Sequence, residues 1–194
     1  MPRLRLFNSF APLAGAFLIA SCVAPDLANP TAPVAGTTSP HDVLNLQLTA
    51  VKWKQQLDGP LTVSQTIDQS GGTISIPETG LTIGFPAGAV TSPVAITVTA
   101  DVKYVAYKME PAGTQFLQDV VVTQQLNTTQ VYGLPLTSAL YAAYIADDGV
   151  NLSGVLPVLE LEPSTTIFSP LSSLFPQAEV WTIRHFSRYI LASG

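Results

Sequence analysis

Between Val94 and Lys103 the side chains change character at nearly every step. Val94, Ile96, Val98, Ala100 and Val102 share one side, and Thr97, Thr99, Asp101 and Lys103 the other. A period of two belongs to an extended strand with one buried face; it cannot lay an apolar stripe along a helix. The same period runs through Leu44, Leu46 and Leu48, and again through Leu61, Val63 and Ile67, which oppose Thr62, Ser64, Thr66 and Asp68. Asp58-Gly59-Pro60 between these runs is turn chemistry, so the two are expected to form a hairpin. Further strands are expected at Ile74–Ile76, Leu81–Phe85, Val120–Leu126, Leu140–Ile145, Val155–Leu161 and Val180–Leu191. Helical spacing is nearly absent. One helical turn is expected at Ser169–Leu174, because Ser169 can cap it and Pro170 fits its first position. Many short strands parted by Gly, Pro and Asp turns predict an all-β fold, an antiparallel β-sandwich.

Composition narrows the partners. Of 194 residues only 11% are charged. Two of the eight basic side chains, Arg3 and Arg5, lie in the first 21 residues, which hold no acidic ones; the remainder carries six basic against thirteen acidic groups, a balance of −7. Nothing there would neutralise a phosphate backbone, so nucleic acid is excluded as the expected partner. With a single cysteine no internal disulfide is possible, and stability has to come from burial.

The start of the chain resembles a bacterial lipoprotein leader. Arg3 and Arg5 precede an apolar run from Phe10 to Ala20, too short to span a bilayer, and Leu18-Ile19-Ala20-Ser21-Cys22 is similar to a lipobox. The resemblance implies a signal peptide at residues 1–21 that is cleaved, and a diacylglyceryl group and a further acyl chain such as palmitate on Cys22. Several acyl chains together make a stable anchor without a spanning helix. Val23 after the cysteine, where an Asp would mark inner-membrane retention, implies an outer-membrane location in the cell envelope. Residues 22–40 hold Pro25, Pro30, Pro33 and Pro40 among small polar residues and read as a Pro-rich tether without a core-forming face. Residues 41–194 are then the sandwich.

Within it, Gly71-Gly72-Thr73-Ile74-Ser75-Ile76-Pro77 leads into Gly80-Leu81-Thr82-Ile83-Gly84-Phe85-Pro86-Ala87-Gly88-Ala89-Val90. This resembles the opening of a ZU-five domain, the module named from zona occludens proteins and uncoordinated netrin receptors. Pro111-x-Gly113-x-x-Phe116 is similar to a later signature of that family, with Asp119-Val120 where Pro-Val is usual, and His185-Phe186-Ser187-x-Tyr189 to its closing strand. The likeness covers residues 71–191 and implies a binding or scaffolding module rather than an enzyme.

Some related modules cut themselves within a His-Phe-Ser tripeptide. His185-Phe186-Ser187 matches it, with Ser187 as nucleophile on the Phe186 carbonyl and His185 as general base. Glu160 and Glu162 share a strand face opposite Leu159 and Leu161; they are a carboxylate pair of the kind used in glycoside cleavage, or two solvated charges. Tyr104 with Tyr107, and Tyr141 with Tyr144, are spaced three apart, which sends the members of each pair to opposite faces; an exposed ring from each would offer a platform to a glycan or an envelope protein. Asp147-Asp148-Gly149 reads as a turn rather than a calcium loop. His41 and His185 are the only histidines and no zinc-type spacing is present, so neither a metal nor a cofactor is expected.

Overall fold

The alternation at residues 94–103 forms a strand over Val94–Ala100, three residues shorter than it predicts. In the computed structural model, which describes residues 47–145 and 149–194, Val94–Ala100 is extended with Ile96, Val98 and Ala100 buried. It ends at Asp101, whose carboxylate accepts from the backbone N–H groups of Lys103 and Tyr104, both at 2.8 Å, and turns the chain. The leader, Cys22, the tether, His41 and Asp147-Asp148 lie outside the described residues.

Among the described residues twelve strands follow in order: β1 (Thr49–Ala50), β2 (Leu61–Ile67), β3 (Gly72–Ile76), β4 (Leu81–Phe85), β5 (Val94–Ala100), β6 (Ala106–Glu110), β7 (Gln115–Gln125), β8 (Leu140–Ile145), β9 (Glu160–Leu161), β10 (Ser164–Ser169), β11 (Ser172–His185) and β12 (Arg188–Ser193). They build two antiparallel sheets. The larger runs β2-β5-β6-β12-β8-β9, with β1 also paired to β12; the smaller runs β10-β11-β7-β4-β3. The chain is an all-β sandwich, as its periodicity requires. No described helix is long and apolar enough to cross a membrane.

The main core lies between the sheets. Ile96, Val98, Tyr107, Met109, Tyr189 and Leu191 of the larger sheet meet Ile74, Ile83, Val120, Val122, Trp181 and Ile183 of the smaller. A second core covers the outer face of the larger sheet, where Leu152, Leu156 and Val158 pack on Ala106, Ala143, Ile145, Ile190 and Ala192. This explains why β12 reads as an unbroken apolar run: Tyr189 and Leu191 face one core, Ile190 and Ala192 the other.

Four expectations are corrected. Among the described residues no hairpin joins the Leu44–Leu48 run to the Leu61 run, Leu44 and Leu46 lying outside them: β2 pairs along its whole length with β5, and β1 joins β12. Val155–Leu161 is strand only at its last two residues, because Leu156 and Val158 are spent on roofing the second core. Val180–Leu191 is two strands meeting at a corner, Phe186-Ser187. Ser169–Leu174 is not helical: Ser169 pairs with Ser172 across the tight loop joining β10 to β11, and Ser169 Oγ accepts from Leu171 N at 3.3 Å.

The glycines of the opening block are required by geometry. Gly71 has φ +81°, and a Cβ there would lie 2.3 Å from the carbonyl oxygen of Phe85; at Gly80, φ +74°, it would lie 2.8 Å from the Gln125 Cβ. The three sequence blocks at residues 71–90, 111–116 and 185–189 converge. Phe116 packs edge-on against Phe186 with centroids 4.7 Å apart, and Phe85 packs against both.

Candidate functional site

The chain leaves the larger sheet at β9 and enters the smaller at β10, with Glu162 and Pro163 in between. Short as it is, β9 is fixed in register: Leu159 N donates to Tyr144 O at 2.9 Å and Glu162 N to Ala142 O at 2.8 Å. Glu160 stands opposite Tyr144, Tyr144 opposite Tyr189, and Tyr189 opposite Tyr107. Directly opposed residues share a face, so one carboxylate and three phenols form a row across four strands.

His185 joins this row from the other sheet. It is the last residue of β11, just past a break in register with β7. Its ring meets Tyr144 edge-on at 5.1 Å between centroids and lies tilted over Tyr189 at 6.0 Å. The Tyr189 hydroxyl donates to the His185 carbonyl at 2.7 Å and lies 3.3 Å from Nδ1. A phenol has one proton, and the carbonyl takes it. The Nδ1 contact is then satisfied when Nδ1–H donates to the phenol oxygen, and this tautomer leaves Nε2 with a bare lone pair. Nε2 faces Glu160 Oε2 at 4.0 Å.

Glu162 completes the group. Donor atoms of Glu160, Glu162 and His185 all lie within 4.8 Å of one another. Glu162 is half-buried, and its Oε1 has neither solvent nor a hydrogen-bond partner. Burial, then the charge of Glu160, pushes its carboxyl up to about 7. The Tyr189 phenol is pushed up as well, by burial first and then by the two glutamates. A carboxyl that holds its proton near neutrality beside a second carboxylate is an acid–base pair; with the imidazole it is also a set of cation ligands.

The remaining sequence candidates are scattered. Tyr104 and Tyr107 are both buried, Tyr104 against the outer core and Tyr107 against the inner one, so the opposed faces are as expected but neither ring is a surface platform. Tyr107 donates its hydroxyl to Gln124 Oε1. Tyr141 and Tyr144 are half-buried, again on opposite faces. At the corner, Phe186 is in the core. Its N–H donates to Thr114 O and its carbonyl accepts from Gly113 N, both at 2.9 Å, while Ser187 O accepts from Met109 N at 3.0 Å. Both nitrogens of His185 are directed at Tyr189 and Glu160, and among the described residues no hydrogen bond joins the ring to Ser187. The proximity of His185 to the glutamates was invisible to motif spacing, since the residues are more than twenty positions apart and on different sheets. No family model matches the chain, and no curated protein is similar to it.

Proposed function

We propose that this is a lipid-anchored protein of the cell envelope, seated at the outer membrane through Cys22, whose ZU-five-like sandwich is a binding or scaffolding module for an envelope protein or glycan. The observation that carries the binding role is the tip of the β10–β11 hairpin. Leu171 is 95% exposed and Leu174 56%, and Leu136 N donates to Leu174 O at 3.0 Å, which sets the loop bearing exposed Leu134 beside them. Exposed apolar side chains on adjoining loops mark a contact surface. Next to them β10 is an edge strand with Ile167 also exposed, and an edge offers unpaired backbone groups to another chain.

A photo-crosslinking residue at Leu171, activated on intact cells, tests this reading. A discrete adduct is expected that a residue placed at exposed Ser153 does not give. Equal labelling from both positions rejects the hairpin as the contact surface. Palmitate incorporation tests the anchor, and continued labelling of a Cys22→Ala chain rejects it. Glycoside cleavage by Glu160 and Glu162 is a second reading, favoured by the raised carboxyl of Glu162; turnover of aryl glycosides that Glu162→Gln abolishes would support it.

A further inference from the structure

Three donor groups converge where the two sheets exchange the chain, their ligand atoms within 4.8 Å of one another. Glu162 Oε1 is buried and unpartnered, Glu160 Oε2 faces the imidazole, and the tautomer set by Tyr189 turns a lone pair of His185 Nε2 toward Glu160. A buried carboxyl oxygen without a partner, set within 4.8 Å of a second carboxyl and an imidazole nitrogen, is left unsatisfied unless something positive lies among them. Arg188 is not that group, because strand alternation sends it to the face opposite Tyr189. We propose that Glu160, Glu162 and His185 are a binding site for one divalent cation of the zinc or manganese class.

The donor chemistry selects the class. Calcium and magnesium take oxygen ligands almost exclusively, whereas an imidazole with two carboxylates suits zinc and manganese. Three protein ligands leave a tetrahedral ion one position short, open to water or to a group on a partner. Donors held about 2.0–2.2 Å from one ion lie at most about 4 Å apart, so the widest present separation of 4.8 Å has to close by about 1 Å. The side chain of Glu160 is 59% exposed and can make that movement. Tyr189 supplies what a metal-bound histidine ordinarily has, a hydrogen bond on its other nitrogen that fixes ring and tautomer.

This proposal stands apart from the membrane anchor and is tested separately. The full chain, purified in detergent and stripped with chelator, is titrated with zinc by calorimetry, and with manganese and magnesium in parallel. One zinc per chain is expected at micromolar affinity or better, with no uptake of magnesium. Glu162→Gln and His185→Gln are each expected to weaken zinc by about 10-fold or more. Glu160→Gln changes an exposed side chain, leaves the fold intact by near-ultraviolet circular dichroism, and is expected to weaken zinc as well. Absence of uptake at about 1 mM zinc overturns the site. So does uptake that Glu160→Gln leaves unchanged, or that is lost in His41→Ala and retained in His185→Gln.

Discussion

The Tyr189 hydroxyl reaches back over the Phe186-Ser187 corner and donates to the carbonyl of His185 at 2.7 Å. One bond thus ties the end of β11 to the start of β12, and with it one sheet to the other. Tyr189→Phe removes the only side-chain donor to that carbonyl among the described residues, in a buried setting. A loss of about 1–2 kcal/mol is expected, read as a fall in Tm of several degrees. An unchanged Tm would mean that the corner is held by its backbone bonds alone.

The pH dependence of stability follows from Glu162. Its folded-state carboxyl titrates at about 7 against an ordinary value of 4.5. Between those values the folded chain binds the proton that the unfolded chain has released, so stability is full at acid pH and falls as pH rises through about 7. In chelator-treated protein, Glu162→Gln should flatten this fall, by about 1 kcal/mol once the solvent exposure of the group is allowed for. Glu179, held up by burial and bonded through Oε2 to Thr166, acts in the same direction. Thermal melts from pH 5 to pH 8 of wild type and both Glu→Gln variants check the sign.

Leu156 roofs the outer core from a segment without strand structure. Leu156→Ala should cost about 2–3 kcal/mol, as for a buried leucine in a sheet interior. Urea unfolding measures it. A cost under half a kcal/mol would show that the segment at residues 149–159 lies loosely on the sheet.

Gly71→Ala places a Cβ against the Phe85 carbonyl in the left-handed region. The strain alone is about 1–2 kcal/mol, and the backbone of β4 has to move in addition. Gly88→Ala is the contrast: φ is +78° but nothing lies within 4 Å, so it should cost less. Equal Tm values for the two variants would refute the steric argument.

Self-cleavage at Phe186–Ser187 predicts two fragments under denaturing conditions, abolished by Ser187→Ala. With His185 Nδ1 held by Tyr189 and Nε2 turned toward Glu160, one intact mass is expected for wild type and variant alike. A fragment starting at Ser187 would reverse that expectation.

Elements whose apolar alternation is bounded by breakers were legible in the sequence. Leu81–Phe85 lies between Gly80 and Pro86 and forms β4 over those residues, and Leu140–Ile145 forms β8 likewise. β10 was missed because Ser164-Thr165-Thr166 carries little apolar signal; its place is set by pairing with β11. The corner at Phe186-Ser187 was missed because it contains neither glycine nor proline. The sequence shows Glu160 and Glu162 as a pair sharing a face, which their common cluster reflects, but sequence adjacency points His185 at Ser187. Its position over the glutamates arises from sheet packing, which periodicity does not encode.

The place of β12 has a consequence for assembly. Its residues are the last strand in sequence, yet they occupy the middle of the larger sheet, bordered by β6 and β1 on one side and β8 on the other. While the ribosome is still translating, β8 and β6 have no common neighbour to zip against, so the larger sheet stays incomplete until Ser193 is made. Until then the facing edges of β6 and β8 stay open, and each can capture a strand of another chain.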